Sequence, residues 1–264
     1  MTAILTTHAL CKNYRGIKAV QDAEISVAHG KITGLIGPNG SGKSTTIDCI
    51  TGFTQPSSGQ VLYDGQDITG KPSHGLAGVG LVRTFQNVRV YERLSVMDNL
   101  AVASQKLRTH GWLPLMLKSA AVKADEKDIE QEAMSFLELV GMAHYAGAPA
   151  GILSYGQRKL IALAACLITH PKLIVLDEPL AGVNPTIIRR ISGLIETLNE
   201  QGLTFLIVEH NVDFIMRHCD HVIVMEQGKK LTEGKPEDVR RDERVLEAYL
   251  GKRIALEAKG TAYA

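Results

Sequence analysis

The sequence is short of cysteine, has almost no excess of either charge and contains no long apolar run. Its four cysteines form no CxxC pair, which argues against a disulfide framework or zinc knuckle and favours a reducing compartment. The 29 basic and 28 acidic residues leave a net charge of +1, so the balance gives no sign of nucleic acid or an anionic membrane surface as partner. The apolar run at residues 160–168 is shorter than a membrane span, and no signal leader precedes it. We therefore expect a cytoplasmic protein that neither crosses a membrane nor is exported.

The order of apolar segments predicts an α/β fold. Strand-like runs precede a helical pattern at residues 98–165, and later strands alternate with a helix at residues 185–199, as in a parallel sheet. The predicted strands are residues 4–5, 25–27, 32–36, 61–63, 79–85, 173–176, 205–208 and 222–225. Five apolar residues fall on one predicted helix face, namely Ile129, Ala133, Phe136, Leu137 and Val140. We expect one domain at residues 1–251, with a helical subdomain inserted at about residues 95–168, and a tail at residues 252–264.

A glycine-rich loop follows the predicted strand at residues 32–36. The sequence GPNGSGKS at residues 37–44 matches the pattern GxxxxGKS/T and leads into a helix start. Glycines let successive backbone N–H groups point at phosphate oxygens, Lys43 can reach the β and γ phosphates, and Ser44 can ligate Mg²⁺. A turn that merely caps a helix is the alternative. The loop predicts binding of a nucleoside triphosphate by Gly37, Pro38, Asn39, Gly40, Ser41, Gly42, Lys43, Ser44 and Thr45.

Two adjacent carboxylates, Asp177 and Glu178, end the apolar run at residues 173–176. Ligands of α/β sheets bind at the carboxyl ends of the strands, where both acids are expected to lie. One acid can hold the Mg²⁺ shell while its neighbour polarises the attacking water. The alternative is a strand that simply ends in acidic residues.

Together these motifs resemble those of the ABC transporter ATPases, in the family's order, over about residues 4–251. The resemblance implies an α/β fold, a P-loop NTPase ABC cassette whose RecA-like core carries an N-terminal antiparallel β subdomain and an inserted α-helical subdomain. It implies ATP and Mg²⁺ as cofactors. It also implies that Asp177 holds the Mg²⁺ shell and that Glu178 polarises the attacking water. It further implies that Tyr14 stacks on adenine, that Gln86 contacts Mg²⁺ or the attacking water, and that His210 donates a hydrogen bond to the γ-phosphate.

The stretch LSYGQ at residues 153–157 resembles the family's LSGGQ signature. Ser154 and Gly156 precede a predicted helix at residues 158–168, so a hydroxyl and an N–H group can face an anion, although an ordinary serine cap is the alternative. In this family the signature meets the phosphate loop only across a dimer. The resemblance therefore assigns Ser154, Gly156 and Gln157 to nucleotide binding. Three residues depart from the commonest family pattern: Tyr155, Ala165 and Asn184.

A narrower resemblance is to one ATPase of bacterial branched-chain amino acid uptake systems. It is carried by RTFQN at residues 83–87, LSYGQ at 153–157, AGVNP at 181–185, VEH at 208–210 and AYLG at 248–251. The resemblance implies a homo- or heterodimer of ATPase subunits, transmembrane permease subunits and, indirectly, a periplasmic substrate-binding protein. It implies a peripheral position on the cytoplasmic face of the bacterial inner membrane, with no nucleic acid as partner. The alternatives are a urea, amide or aromatic-acid importer, an exporter, or a soluble ABC ATPase.

Two segments suggest other functions. The sequence HCDH at residues 218–221 looks like a metal cluster, but adjacent residues at a helix end cannot all converge on one ion. The apolar residues 112–117 could contact a membrane partner, or could form an extra packed helix.

Overall fold

A computed structural model of the chain describes residues 2–84, 90–104 and 120–249. Three predictions concern residues outside these ranges, namely Gln86, residues 112–117 and the tail at 252–264. The strands are β1 (Ala3–Tyr14), β2 (Ile17–Ala23), β3 (Ser26–Ala28), β4 (Ile32–Ile36), β5 (Ser58–Tyr63), β6 (Gln66–Asp67), β7 (Leu81–Thr84), β8 (Leu173–Asp177), β9 (Thr204–Val208), β10 (His221–Glu226) and β11 (Lys229–Gly234). The helices are α1 (Lys43–Ile50), α2 (Ser73–Ala77), α3 (Val96–Ala103), α4 (Ala120–Leu139), α5 (Tyr155–Leu167), α6 (Pro185–Glu200), α7 (Val212–His218) and α8 (Pro236–Arg241).

The N-terminal strands form an antiparallel sheet. Within the described residues its order is β2-β1-β5-β6, with β3 also paired to β1. Strand β1 has 12 residues, far more than the pair predicted at 4–5, and it changes partners along its length from β3 and β5 to β2. The register shifts around Leu10, where the change occurs. Such an irregularity interrupts the alternation of apolar residues, which is why the sequence pattern missed most of β1 and all of β2.

The second sheet positions the candidate site. Among the described residues its order is β11-β10-β4-β9-β8-β7, and neighbouring strands are parallel except in the β10–β11 hairpin. Strands β4, β8 and β9 are buried along their whole length, as the apolar run at residues 173–176 predicts for β8. Strand β11 was not predicted, because its residues are largely polar and only the tight turn at Gln227 and Gly228, both at positive φ, indicates a hairpin. The carboxyl ends of β4, β9 and β8 lie side by side.

Helices α3, α4 and α5 pack together as the helical subdomain. The predicted apolar face is correct, since Ile129, Ala133, Leu137 and Val140 are buried and Phe136 is partly buried. Within the helical lobe predicted at 98–165, turns and two short 3-10 helices separate α4 from α5. None of the helices in the described ranges has the length and apolar character needed to cross a bilayer.

Candidate nucleotide-binding site

The phosphate loop runs from the end of β4 to the start of α1. Helix α1 begins at Lys43, directly after Gly42, whose φ is 99°; Gly37 and Gly40 also have positive φ, at 151° and 78°. Glycine adopts such angles without a steric penalty. The loop is tightly packed as well, since a Cβ added to Gly37 would lie 2.1 Å from Met225 O. Both the backbone angle and the available space therefore require glycine at position 37.

Two polar side chains of the loop are buried. Lys43 Nζ donates hydrogen bonds to Gly37 O at 2.7 Å and to Pro38 O at 3.1 Å. Ser41 Oγ is buried and has no hydrogen-bond partner among the described residues, which is costly for a hydroxyl. A phosphate oxygen would give Ser41 a partner and would offer Lys43 a charged acceptor, which binds an ammonium more strongly than a carbonyl does. The loop therefore fits an oligophosphate.

The loop faces a cleft of about 750 Å³. Its walls are formed by Ile17, Lys18, Ala19, Asn39, Gly40, Ser41, Gly42, Lys43, Ser44, Thr45, Glu178, His210, Gln227 and Gly228. The predicted adenine-stacking residue, Tyr14, is paired with Ile17 in the β1–β2 ladder and is 44% exposed. Its ring also lies 4.9 Å from Lys12 Nζ. The structure thus puts Tyr14 next to a wall residue of the cleft, with its ring accessible.

A carboxylate and an imidazole meet at the strand ends. Glu178 follows β8 and His210 follows the neighbouring parallel strand β9, which brings His210 Nε2 to 2.7 Å from Glu178 Oε1. The Glu178 side chain is 15% exposed and that of His210 is 45% exposed, so both reach the cleft. Glu178 has a φ of 48°, a left-handed angle that is costly for a glutamate. Backbone strain of this kind concentrates at functional sites.

Asp177, predicted to hold Mg²⁺, is paired with an arginine that was not among the predicted site residues. Arg83, on β7, places Nη2 2.6 Å from Asp177 Oδ2 and Nη1 2.6 Å from Asp48 Oδ1. The side chains of Arg83 and Asp177 are both 8% exposed, so this ion pair is buried. The available signal was a lone arginine inside an apolar strand, since a buried arginine needs an acidic partner.

The signature stretch forms the start of helix α5. Ser154 is the N-cap residue: its Oγ accepts a hydrogen bond from Gln157 N–H at 3.3 Å, and Gln157 Oε1 accepts one from Ser154 N–H at 2.9 Å. This capping box starts the helix at Tyr155, so the predicted start at residue 158 is wrong. Gly156 consequently lies inside the first turn, where a Cβ would be only 3.0 Å from Ile187 Cγ1.

Among the described residues that line the phosphate-loop cleft, none belongs to the signature at 153–157. One chain therefore brings together the phosphate loop, Glu178 and His210, but does not bring Ser154 to the same cleft. This separation agrees with the resemblance, in which each subunit contributes one half of each nucleotide site.

Two departures from the family pattern have a structural explanation. Asn184 is the N-cap of α6 and accepts a hydrogen bond from Ile187 N–H at 3.0 Å, a role that aspartate fills equally well. The ring of Tyr155 lies against Gly182 and 5.4 Å from Lys159 Nζ. Nothing in the structure explains Ala165.

The side chains of His218 and Asp220 have separate partners. His218 Nδ1 is 2.7 Å from Glu196 Oε1, whereas Asp220 Oδ1 accepts a hydrogen bond from Lys31 Nζ at 3.0 Å. In the part of the chain that the structure describes, no group of three His, Cys, Asp or Glu residues could hold a metal ion.

Two further buried charges flank the strand ends. Lys159, on α5, and Glu209, before His210, are both almost fully buried. Neither residue was predicted from the sequence, although a lysine directly before the apolar run 160–168 was a usable signal.

Two family models match the chain. The model described as ABC transporter matches residues 20–181, and the model described as Branched-chain amino acid ATP-binding cassette transporter matches residues 229–255. The chain belongs to the ABC transporter family. The resemblance carried by the motifs is thereby confirmed.

Curated relatives agree with this result. The high-affinity branched-chain amino acid transport ATP-binding protein BraF of Pseudomonas aeruginosa is 37% identical over 250 residues, which cover 94% of this chain and 98% of that protein. The protein LivG of Escherichia coli strain K12, with the same description, is 34% identical over the same shares of the two chains. A probable branched-chain amino acid transport ATP-binding protein LivG of Archaeoglobus fulgidus is 38% identical. The match covers 94% of this chain and 95% of that protein.

Solved structures confirm the predicted fold. A nucleotide-free ATP-binding cassette from an ABC transporter superposes with a TM-score of 0.82 at 37% identity, covering 94% of this chain and 99% of that one. The ADP conformation of an ATP-binding cassette of an ABC transporter also superposes with a TM-score of 0.82, at 36% identity. The match covers 95% of this chain and 100% of that one. The chain is therefore an ABC ATPase cassette, as the motifs predicted.

Proposed function

We propose that this chain is the ATP-binding and ATP-hydrolysing subunit of an ABC importer that energises the uptake of branched-chain or other hydrophobic amino acids. The observation that carries the proposal is the 2.7 Å contact between His210 and Glu178 at the wall of the phosphate-loop cleft. The cargo class is supported by the second family model at residues 229–255 and by the names of the curated relatives.

Nucleotide binding follows from the geometry of the loop. The triphosphate lies along the loop at the N-terminus of α1, where the helix dipole favours negative charge. Lys43 exchanges its two carbonyl partners for phosphate oxygens, and the Ser41 hydroxyl gains the partner that it lacks among the described residues. The exposed ring of Tyr14 stacks on the base.

Hydrolysis requires a base beside the γ-phosphate. Glu178 takes the proton of the attacking water, and its carboxylate is held ready by His210 Nε2 at 2.7 Å. Because this nitrogen is directed at Glu178, contact between His210 and the γ-phosphate needs either the other ring nitrogen or a rotation of the imidazole. His210 therefore connects the state of the nucleotide to the orientation of the base.

Ser44, Asp177 and Gln86 are the residues that would hold Mg²⁺. Hydroxyl, carboxylate and amide oxygens are the ligands that Mg²⁺ accepts. The ion pair of Asp177 with Arg83 supports this role, since it shows that the Asp177 carboxylate binds a cation at this place. Bound Mg²⁺ supplies charge neutralisation to the transferred phosphoryl group.

The working unit in this proposal is a dimer of ATPase subunits, identical or different, attached to transmembrane permease subunits at the cytoplasmic face of the inner membrane. The separation of Ser154 from the cleft supports a dimer, because the signature needs a second subunit to reach a nucleotide. A periplasmic substrate-binding protein delivers the amino acid to the permease.

The substitution Glu178→Gln tests the assignment of the base. We expect nucleotide binding to persist and hydrolysis to fall by about 10²- to 10⁴-fold, since the amide cannot accept the proton. The variant should also accumulate as a closed dimer in ATP, measured by size-exclusion chromatography. The exposed Glu200 offers the control substitution Glu200→Gln, which should leave turnover unchanged. Wild-type turnover by Glu178→Gln would contradict the proposal.

Uptake measurements test the cargo. A strain that lacks this chain should lose uptake of labelled leucine, isoleucine and valine, and the wild-type gene should restore it while the Glu178→Gln gene should not. Unchanged amino-acid uptake combined with loss of urea, amide or aromatic-acid uptake would replace the proposed cargo and leave the ATPase assignment intact.

A further inference from the structure

A buried ammonium connects the signature helix to the end of strand β8. Lys159 lies on α5 and is only 7% exposed. Its Nζ donates hydrogen bonds to Glu178 O at 2.7 Å and to Pro179 O at 3.1 Å. Burial lowers the pKa of Lys159, while the carboxylates of Glu209, Glu178 and Asp177 oppose that shift. Burying this charge is unfavourable in itself, so what Lys159 contributes is the fixed position of the two backbone carbonyls that it binds.

A buried carboxylate also holds this segment. Glu209 is 4% exposed, and its Oε1 accepts a hydrogen bond from Leu180 N–H at 2.8 Å. Its Oε2 accepts a bond from His210 N–H at 3.1 Å. Three consecutive residues after β8 are thus held by two buried charges, a cation on the carbonyls of 178 and 179 and an anion on the N–H of 180.

The held segment includes the strained residue. Glu178 keeps its left-handed φ of 48° while its side chain meets His210. A non-glycine residue stays at such an angle only where its surroundings determine it. The hydrogen bonds from Lys159 to the carbonyls of Glu178 and Pro179 supply that constraint directly next to the strained Cα.

We propose that Lys159 is a positioning residue, which fixes the catalytic carboxylate of Glu178 and ties it to the signature helix of the same chain. This inference rests on the proposed function, because it takes Glu178 as the base. Ser154 caps the same helix, five residues or about 7.5 Å before Lys159. A displacement of the signature end, caused by the nucleotide of the partner subunit, therefore reaches Glu178 through one rigid helix.

Kinetics of Lys159→Met, in the complex isolated with its permease, test this role. Methionine removes the donor and is one atom shorter than lysine, so it fills most of the same space. We expect kcat to fall at least about tenfold while the KM for ATP changes less than about twofold, because a misplaced base slows the reaction without weakening binding. Lys159→Arg, which restores donors to both carbonyls, should recover most of kcat. The control is Lys172→Met, which removes an exposed lysine paired with Asp64.

A second measurement separates positioning of the base from damage to the signature. In a Glu178→Gln background, Lys159→Met should still form the ATP-dependent closed dimer, since closure needs the signature but not the base. Loss of closure, or an unchanged kcat in Lys159→Met, overturns the inference. If the methionine variant does not fold, Lys159→Gln takes its place. Loss of closure or an unchanged kcat in that variant then overturns the inference in the same way. If the wild-type complex hydrolyses no ATP, the proposed function itself is overturned. That result is distinct from the two outcomes above, which concern only the Lys159 variants.

Discussion

The phosphate loop and the signature stretch both end in the N-terminus of a helix, but the chain holds them in different ways. Helix α1 has no side-chain cap, and its loop is shaped by strands far away in sequence, with Gly37 against Met225 and Gly42 against Ala19. Helix α5 is capped within four residues by Ser154 and Gln157. One end thus depends on tertiary packing, whereas the other is largely a local structure.

This difference suits the two roles. A helix start without a side-chain cap leaves backbone N–H groups for the phosphates of a ligand. A capping box uses donors of the first turn within the chain, so the signature helix is stable before a partner subunit arrives. Variants at the two ends should therefore differ sharply in their effect on stability.

The largest effect is expected for Gly37→Ala. A methyl group 2.1 Å from Met225 O, at a φ of 151°, forces the loop away from β10. We expect a loss of at least about 4 kcal/mol in the free energy of unfolding, measured by urea denaturation, together with loss of nucleotide binding.

Gly40→Ala is the matched comparison within the same loop. Gly40 has a φ of 78°, but a Cβ added there would have no atom within 4 Å, so only the backbone strain of about 1–2 kcal/mol should be measured. Equal losses for the two variants would show that long-range packing does not shape the loop.

An intermediate effect is expected for Arg83→Met. This change leaves the buried carboxylate of Asp177 and the partly buried one of Asp48 without their cation, which should cost about 2–4 kcal/mol. The measurement is again urea denaturation, compared with Lys172→Met, whose exposed ion pair should matter little. Equal stability of Arg83→Met and the wild type would show that the strand-end ion pair is not a tertiary support.

The smallest effect on stability is expected for Ser154→Ala. Loss of the capping box should cost about 1 kcal/mol, because the rest of α5 is held by its buried face. Ser135→Ala, at an exposed position inside α4, is the control and should be neutral or slightly stabilising. A loss of several kcal/mol in Ser154→Ala, by thermal or urea unfolding, would mean that the signature is not a locally stabilised structure.

The two ends also differ in how well the sequence predicted them. The loop at residues 37–44, the strand ending in Asp177 and the apolar face of α4 were predicted correctly, because each has a short, regular pattern. The helix start at residue 158 was wrong, since the helix that Ser154 caps begins three residues earlier, at Tyr155. The long strand β1 was missed because its register shifts where it changes partners.

Residue order alone predicted the chemistry proposed for this protein, since the phosphate loop, the paired acids and the signature are each short contiguous motifs. Only the tertiary structure decided which groups support them. Arg83 reaches Asp177 across 94 residues, Lys159 holds the carbonyl of Glu178 across 19, and Glu209 holds Leu180 across 29. A lone charge in or beside an apolar run can mark such a residue, but its partner cannot be read from the local sequence, because strand order and helix packing set it. The proposed base was thus predictable from the sequence, and the residues proposed to position it were not.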